Sequence, residues 1–318
     1  MQALIRLTLS LALLFPFLSW GQAYPTKPVR VIIPYAPGGG AELQARLVTG
    51  KLSEIWGQPV IIENKPGGGT TIAGTFVARS APDGYTISSA YSSLFTAALL
   101  MKEPPFDLEK SFTAVAWLTE VPAILAVPAS SPAKTVKELL ELARKTAKQL
   151  SYGSTGLGGS QHMNAEMVLR AGGAQAVHIP YKGTAEAGTA LLSEQIDFSF
   201  VDQSIRQLMK GGKVRALAVT SARRWHALPD VPTMQESIGV AGVSTRNMYL
   251  VPAATPMALV NQINAAIVRA LRSPDLEEKF LAAGYNIVAS TPEEAARFYQ
   301  SEYQTYAKLV KDLNLPVQ

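Results

Sequence analysis

The chain has 318 residues, no cysteine and a net charge of +5, and 47% of its residues are hydrophobic while 17% are charged. This balance is typical of a globular protein with room for two hydrophobic cores, and it excludes a disordered or fibrous chain. The absence of cysteine excludes thiol catalysis, disulfides, thiolate metal sites and a lipid anchor on cysteine. The positive charges are scattered along the sequence, which argues against nucleic acid as a partner.

The first 23 residues are typical of an export signal. Arg6 is the only charged residue among them, and an apolar run extends from Leu7 to Trp20. A transmembrane helix is the alternative, but it needs about 18 to 20 apolar residues, and this run is shorter and contains Pro16. We therefore predict cleavage after Ala23 and an exported mature protein.

Short β-branched runs then alternate with segments of helical periodicity, a pattern that indicates βαβ units and mostly parallel sheets. The first unit is a strand over 29–34, a glycine turn over 36–40 and a helix that ends at Gly57. The second is a strand over 60–63, a turn over 65–69 and a helix over 70–79. Further strands are predicted over 85–89, 112–117, 123–127, 150–153, 176–180, 198–201 and 215–220, and further helices over 136–147, 161–170, 185–194 and 204–209. Prolines at 256, 274 and 292 mark the starts of three C-terminal helices.

Three glycine-rich turns stand between a predicted strand and a predicted helix, over 38–40, 67–69 and 154–160. Backbone N–H groups of such a turn, beside the positive end of a helix dipole, can bind a carboxylate or a phosphate. A tight turn without a ligand is the ordinary alternative for any one of them. Three in one chain favour anion binding.

Nucleotide motifs are absent from these turns. A phosphate-binding loop needs Lys after its last glycine, whereas Ala41 follows Gly40 and Thr70 follows Gly69. The dinucleotide fingerprint fails because Leu43 stands where its third glycine belongs. The turns therefore predict a small anion as the ligand, and no cofactor is expected.

Catalytic patterns are weak in this sequence. Ser154 lacks the Gly-x-Ser-x-Gly register of a nucleophile elbow. His162, His178 and His226 lie in separate segments without the spacing of metal ligands, so no metal site is predicted. A secreted α/β hydrolase that uses Ser154, or another serine with distant partners, stays open as a second hypothesis.

Five ordered blocks carry a more specific signal. They are YPTKPVRVIIPYAPGGG at 24–40, GQPVIIENKPGGG at 57–69, APDGYT at 81–86, HIPYKGT at 178–184 and KVRALAVTSARRWHALPDVPT at 213–233. With these blocks the chain resembles, over essentially its whole mature length, the extracytoplasmic solute receptors of tripartite tricarboxylate transporters, the Bug receptor family.

The resemblance implies an α/β fold of the type II periplasmic binding protein class, in which two crossing strands join two α/β lobes with the ligand cleft between them. Residues 24–125 and 247–318 would form lobe one, and residues 126–246 lobe two. It also implies a periplasmic, non-catalytic monomer that closes on a small carboxylate and delivers it to integral membrane permease subunits. A receptor that serves a sensor kinase stays open as an alternative.

The resemblance further implies ligand-binding residues from both lobes. In lobe one they are Tyr35, Ala36, Pro37, Gly38, Gly39, Gly40, Gly68, Gly69, Thr70, Ser92 and Ser93. In lobe two they are Ser154, Thr155, Ser160, His162, Tyr181 and Asp202.

Two departures from the family pattern bear on the ligand. The family usually has Thr or Ser and then Asp after the first triple glycine, whereas this chain has Ala41 and Glu42. At the return crossing the family commonly has aromatic residues, whereas this chain has Arg246 and Asn247. Arg246 could bind a second acidic group of the ligand through two hydrogen bonds. We therefore expect Arg246 in the ligand site and a dicarboxylate as the ligand. The alternative is that Arg246 pairs with an acidic residue across the hinge or lies in solvent.

Overall fold

The computed structural model describes residues 24–145, 149–313, 315 and 317. The predicted export signal lies outside these residues. Within them, no helix has the length and apolar character needed to cross a membrane.

Eleven strands and eleven α-helices make up the described part of the chain. The strands are β1 (Val29–Ile33), β2 (Val60–Asn64), β3 (Thr86–Ala90), β4 (Phe112–Val121), β5 (Ile124–Pro128), β6 (Leu150–Ser154), β7 (Ala176–Pro180), β8 (Phe198–Val201), β9 (Val214–Val219), β10 (Thr245–Pro252) and β11 (Asn286–Ile287). The helices are α1 (Gly40–Trp56), α2 (Thr71–Ala78), α3 (Ser93–Leu99), α4 (Val136–Lys145), α5 (Ser160–Ala171), α6 (Thr184–Leu192), α7 (Arg206–Lys210), α8 (Met234–Ile238), α9 (Met257–Leu271), α10 (Pro274–Ala283) and α11 (Pro292–Asp312), with short 3-10 turns at Gly68–Thr70 and Gln203–Ile205.

The strands form two separate mixed sheets. The first has the order β11-β4-β10-β3-β1-β2, and the second has the order β7-β6-β8-β5-β9. In each sheet three neighbouring strands are parallel, β2-β1-β3 in the first and β7-β6-β8 in the second. Parallel strands direct the loops that follow them, and the starts of the next helices, to one edge of the sheet. The predicted α/β architecture is confirmed. The prediction of mostly parallel sheets is wrong, because β10 pairs antiparallel with β3 and β4, β11 with β4, and β5 with β8 and β9.

The chain changes sheet twice. It leaves the first sheet after β4 and enters the second with β5, which pairs with β8 and β9. It returns between β9 and β10, and β10 pairs with β3 and β4. The changes of sheet therefore fall at residues 122–123 and between 220 and 244, beside the predicted lobe limits.

Buried aliphatic side chains fix the position of α1. Val48 and Leu52 of α1 belong to the same fully buried cluster as Val29 and Val31 of β1. Full burial of such a side chain contributes about 1.5–3 kcal/mol. The helix ends at Gly57, whose φ of 63° provides a left-handed C-cap. This packing holds the start of α1 at the carboxyl edge of the first sheet.

Candidate functional site

Three adjoining cavities lie between the two sheets. The large cavity has a volume of about 510 Å³, the middle cavity about 50 Å³ and the small cavity about 30 Å³. The middle cavity shares Tyr35 and Thr155 with the large one, and Asp202 and Thr245 with the small one. Together they form one crevice, and each cavity is lined by residues of both lobes.

The first glycine turn (36–40) is held by acidic side chains of this chain. Gly39 is the N-cap of α1, and no side chain caps it. The N–H of Gly38 donates to Glu42 Oε2 at 2.8 Å, and the N–H of Gly40 donates to Asp202 Oδ2 at 3.2 Å. Both carboxylates are buried. This turn therefore binds one acid of its own helix and one from the opposite lobe.

The second glycine turn has a different backbone. Gly67, Gly68, Gly69 and Thr70 all have positive φ, with values of 117°, 58°, 62° and 92°. Glycine adopts this region without the steric cost that a Cβ brings, whereas Thr70 bears that cost. Thr70 Oγ1 is buried and has no hydrogen-bond partner among the described residues, and all four residues line the large cavity.

The third glycine turn (154–160) is fixed by side chains of α5. The N–H of Thr155 donates to Gln161 Oε1 at 2.8 Å, and the N–H of Gly158 donates to His162 Nδ1 at 3.0 Å. Both acceptors lie in the first turn of the helix that follows. In this structure His162 thus contacts the turn backbone, and it does not line any of the three cavities.

A serine and a histidine lie together behind this turn. Ser154 Oγ is 2.6 Å from His178 Nε2, and the His178 ring stacks on His162 with centroids 4.3 Å apart. Burial lowers the pKa of His178 to about 4, and burial together with the neighbouring His178 lowers the pKa of His162 to about 3. Both rings are therefore neutral at neutral pH. Ser154 is 0% exposed, so this arrangement lacks the access that a nucleophile needs.

Tyr35 connects the large and middle cavities. Its hydroxyl lies 2.8 Å from Ser93 Oγ, and its ring packs on Tyr91 at 5.3 Å. Burial raises the pKa of Tyr35 to about 12, so the hydroxyl stays protonated and can donate or accept a hydrogen bond. Ser93 therefore supports the site through Tyr35, and Ser92 is buried beside it at the start of α3.

The structure divides the predicted site residues into two groups. Those that line the crevice are Tyr35, Ala36, Gly39, Gly40, Gly68, Gly69, Thr70, Thr155, Ser160, Tyr181 and Asp202. Those that do not line it are Pro37, Gly38, Ser92, Ser93, Ser154, His162 and Arg246.

Comparison with known proteins identifies the family. A protein-family model with the description "Tripartite tricarboxylate transporter family receptor" matches residues 44–315 of this chain. This chain belongs to that family. Its members are periplasmic solute-binding receptors and not enzymes, so the expectation of a non-catalytic protein is confirmed.

Solved structures of similar proteins share the whole fold. The periplasmic binding protein BugD is 32% identical, with a TM-score of 0.88 over 93% of this chain and 100% of BugD. Rpa4515 of R. palustris, solved with adipate, is 28% identical with a TM-score of 0.88 over 92% and 99% of the two chains. MatC of Rhodopseudomonas palustris, with bound malate, is 29% identical with a TM-score of 0.85 over 90% and 100%. The two-lobed type II fold is confirmed.

The structure corrects our expectation for Arg246, the departure from the receptor family pattern. Its guanidinium donates to Glu302 Oε1 at 2.9 Å and to Glu120 Oε1 at 3.4 Å. Burial raises the pKa of Glu302, while the charge of Arg246 acts in the opposite direction. Two acids of lobe one therefore match the charge of Arg246, which is the alternative that the sequence left open. We no longer assign it to the ligand.

Several lining residues of this receptor were missed from the sequence. They are Tyr91, Gln161, Thr184, Thr245 and Tyr285. Thr184 ends one of the five family blocks and begins α6, so a signal for it existed. The other four lie outside those blocks, and only the fold brings them to the crevice.

Proposed function

We propose that this receptor captures a small carboxylate in the crevice and delivers it to the membrane subunits of a tripartite tricarboxylate-type transporter. The proposal includes export to the periplasm with cleavage after Ala23, and action as a monomer. The observation that carries it is the second glycine turn, whose backbone of four consecutive positive-φ residues lines the large cavity.

The second glycine turn offers donors where an anion would fit. Thr70 Oγ1 is a buried hydroxyl without a partner among the described residues, and a buried unsatisfied hydroxyl costs about 1–3 kcal/mol. The start of α2 follows directly at Thr71, and no side chain caps it. Lys182 of lobe two lines the same cavity. A ligand carboxylate would satisfy the hydroxyl, the helix start and the positive charge together.

A dicarboxylate is the class that we propose to test first. Two relatives of 28% and 29% identity were solved with adipate and with malate. The crevice continues from the large cavity into the middle one past Tyr35 and Thr155, so it has room for a second polar group. Arg246 contributes nothing to this assignment.

Contacts between the two sheets support capture by closure of the cleft. The N–H of Ala36 donates to the carbonyl of Lys182 at 3.3 Å. Ser160 Oγ at the start of α5 lies 3.3 Å from Thr245 Oγ1, which begins β10 of the first sheet. These contacts close the crevice over its middle cavity, so a ligand enters when the lobes separate.

Thermal denaturation with mono-, di- and tricarboxylates tests the proposal. A ligand at 100 times its dissociation constant should stabilise the protein by about 2.7 kcal/mol, whereas the diamide of the same acid should have no effect. Small-angle scattering should then show a smaller radius of gyration with the ligand and the mass of a monomer. A lack of stabilisation by every carboxylate would refute the proposal.

A further inference from the structure

A separate groove lies on lobe one outside the crevice. Its volume is about 820 Å³, and it shares no lining residue with the three cavities. One face of α2 forms its wall, and three of the five sequence blocks contribute to it, including the block at 81–86, which has no residue in the crevice. We call it the basic groove after four of its lining side chains, Lys27, Arg30, Lys65 and Arg79.

Positive charge exceeds negative charge in the basic groove. Its ion pairs are Lys27 with Asp83 at 3.4 Å, Arg30 with Glu63 at 3.6 Å and Lys65 with Glu63 at 2.7 Å. Arg79 follows α2 and is exposed, and its side chain has no ion-pair partner among the described residues. Four cations therefore lie beside two carboxylates, so the groove attracts an anionic partner.

The basic groove also has an apolar wall. Lys65 Nζ lies 4.1 Å from the centre of the Phe76 ring, and the guanidinium carbon of Arg30 lies 5.3 Å from the same centre. The side chain of Lys65 is only 24% exposed, so this charge lies inside the groove. Ile72, on the wall formed by α2, is 52% exposed. The groove thus offers cations and apolar surface side by side.

A protein segment with acidic and apolar side chains fits this combination. A planar anionic membrane attracts cations that project from a surface, whereas Lys65 lies within a concave groove. A small carboxylate would pair with the cations but would leave Ile72 and Phe76 without an apolar partner. A segment that carries both kinds of side chain would cover both surfaces, and its charges would select it over other segments.

The basic groove adjoins the second glycine turn from outside the crevice. Lys65 and Ile72 line the groove, whereas residues 67–71 between them line the large cavity. The position of a Cβ on Gly67 lies 2.8 Å from Ile72 Cδ1, so the groove wall packs on the turn. A partner in the groove would therefore lie beside the turn to which we assign the ligand carboxylate.

We propose that the basic groove binds an acidic segment with apolar side chains from a membrane subunit that receives the carboxylate. The choice of partner rests on the proposed function, since a receptor that delivers its ligand needs a contact with the membrane subunits outside the occupied crevice. The contact is electrostatic in part, so it weakens as the salt concentration rises.

Peptide selection tests the chemistry of the basic groove without reference to transport. A random peptide library displayed on phage, selected on the full receptor, should yield peptides rich in Asp and Glu beside Leu or Phe. Fluorescence polarisation of a selected peptide should show at least about tenfold weaker binding to Arg79→Glu, because the new charge repels the peptide. Ile72→Ser should weaken binding by about fivefold, because it removes part of the apolar wall.

Each variant has a matched control. Arg269→Glu makes the same charge change at an exposed position in the last turn of α9, and Met257→Ser removes a side chain that is 53% exposed. Neither should alter peptide binding. Selected peptides without acidic residues, or binding unaltered by both groove variants, would overturn the proposal. Sedimentation of the receptor with phosphatidylglycerol vesicles that Arg79→Glu abolishes would overturn it in favour of a membrane surface.

Uptake tests the choice of partner. Spheroplasts of the producing bacterium without its own receptor gene are supplied with purified receptor and with radiolabelled succinate, malate or adipate. Arg79→Glu should support at least about tenfold slower uptake than wild type, although its affinity for the same acid in calorimetry is unchanged. Equal uptake with both receptors would overturn the choice of a membrane subunit. Failure of every carboxylate to bind the wild-type receptor would instead refute the proposed function, and the peptide result would stand.

Discussion

The first and second glycine turns share the sequence Pro-Gly-Gly-Gly but differ in structure. Each follows a parallel strand of the first sheet and precedes a helix. In the first turn only Gly38 has positive φ, and Gly39 has an extended φ of −94°. In the second turn all three glycines have positive φ. The first turn is occupied by acids of this chain, whereas the second lines the large cavity.

This difference shows that the surroundings of a glycine turn decide its role. Two acidic side chains and a loop of the opposite lobe reach the first turn, so it contributes to contact between the lobes. The second turn lines the same cavity as Lys182, and the hydroxyl of Thr70 has no hydrogen-bond partner in the described part of the chain, so we propose that this turn binds the ligand carboxylate. The following predictions test that division.

The largest effect is expected from Arg246→Ala, and it should be on stability. The change leaves the buried carboxylate of Glu302 without its partner, so the free energy of unfolding should fall by about 3 kcal/mol in urea denaturation. Carboxylate affinity should stay within about threefold, because the turns and not Arg246 hold the ligand. Lys110→Ala, at an exposed pair, should cost less than about 1 kcal/mol. A tenfold loss of affinity at unchanged stability would return Arg246 to the site.

The next effect concerns the second glycine turn. Gly68→Ala places a Cβ at φ 58°, which strains an L residue, and 2.3 Å from Thr71 Oγ1, so the turn or the Thr71 side chain must shift. Carboxylate affinity measured by calorimetry should fall by about thirtyfold, or about 2 kcal/mol.

Gly57→Ala is the matched control, because its φ is 63° and nothing lies within 4 Å of the added Cβ. It should lower stability by about 1–2 kcal/mol through strain alone and leave affinity unaltered. If Gly68→Ala binds the ligand like wild type, the second turn is a plain turn.

The smallest effect is expected at the first turn. Gly39→Ala causes no backbone strain, but its Cβ would lie 2.5 Å from Thr184 Oγ1 of the opposite lobe. Closure should become harder, and affinity should fall by about fivefold with no change in the unfolding of the ligand-free protein. Gly39→Ala combined with Thr184→Ala removes the clash and should restore binding. A double variant that binds as weakly as Gly39→Ala would contradict a contact between lobes.

Much of the fold could be predicted from the sequence because its strands are short β-branched runs between glycines and prolines. The predicted bounds of β7 and β8 agree with the structure residue for residue. Helix α3 was missed, since it has seven residues and no side chain caps its start. It forms because α11 packs against it, which a local pattern does not reveal.

Only those parts of the site that consist of residues close together in the sequence could be predicted. Glycine turns follow from strand and helix boundaries, so all three were found. The bond between Gly40 and Asp202 joins residues 162 positions apart, and its geometry depends on how the lobes meet. The partners of Arg246 are equally remote, because Glu120 and Glu302 come from β4 and α11.

The position of β10 has a consequence for the order of assembly. This strand lies between β3 and β4 in the first sheet, and it contributes residues 245–252. A chain that emerges from a membrane with its N-terminus first therefore exposes β3 and β4 well before the strand that joins them. The sheet of lobe two is complete by about residue 219, so lobe two can fold during that interval. The sheet of lobe one is complete only when β10 has emerged. On the proposed export route, a ligand that needs both lobes would therefore be bound only after β10 has crossed the membrane.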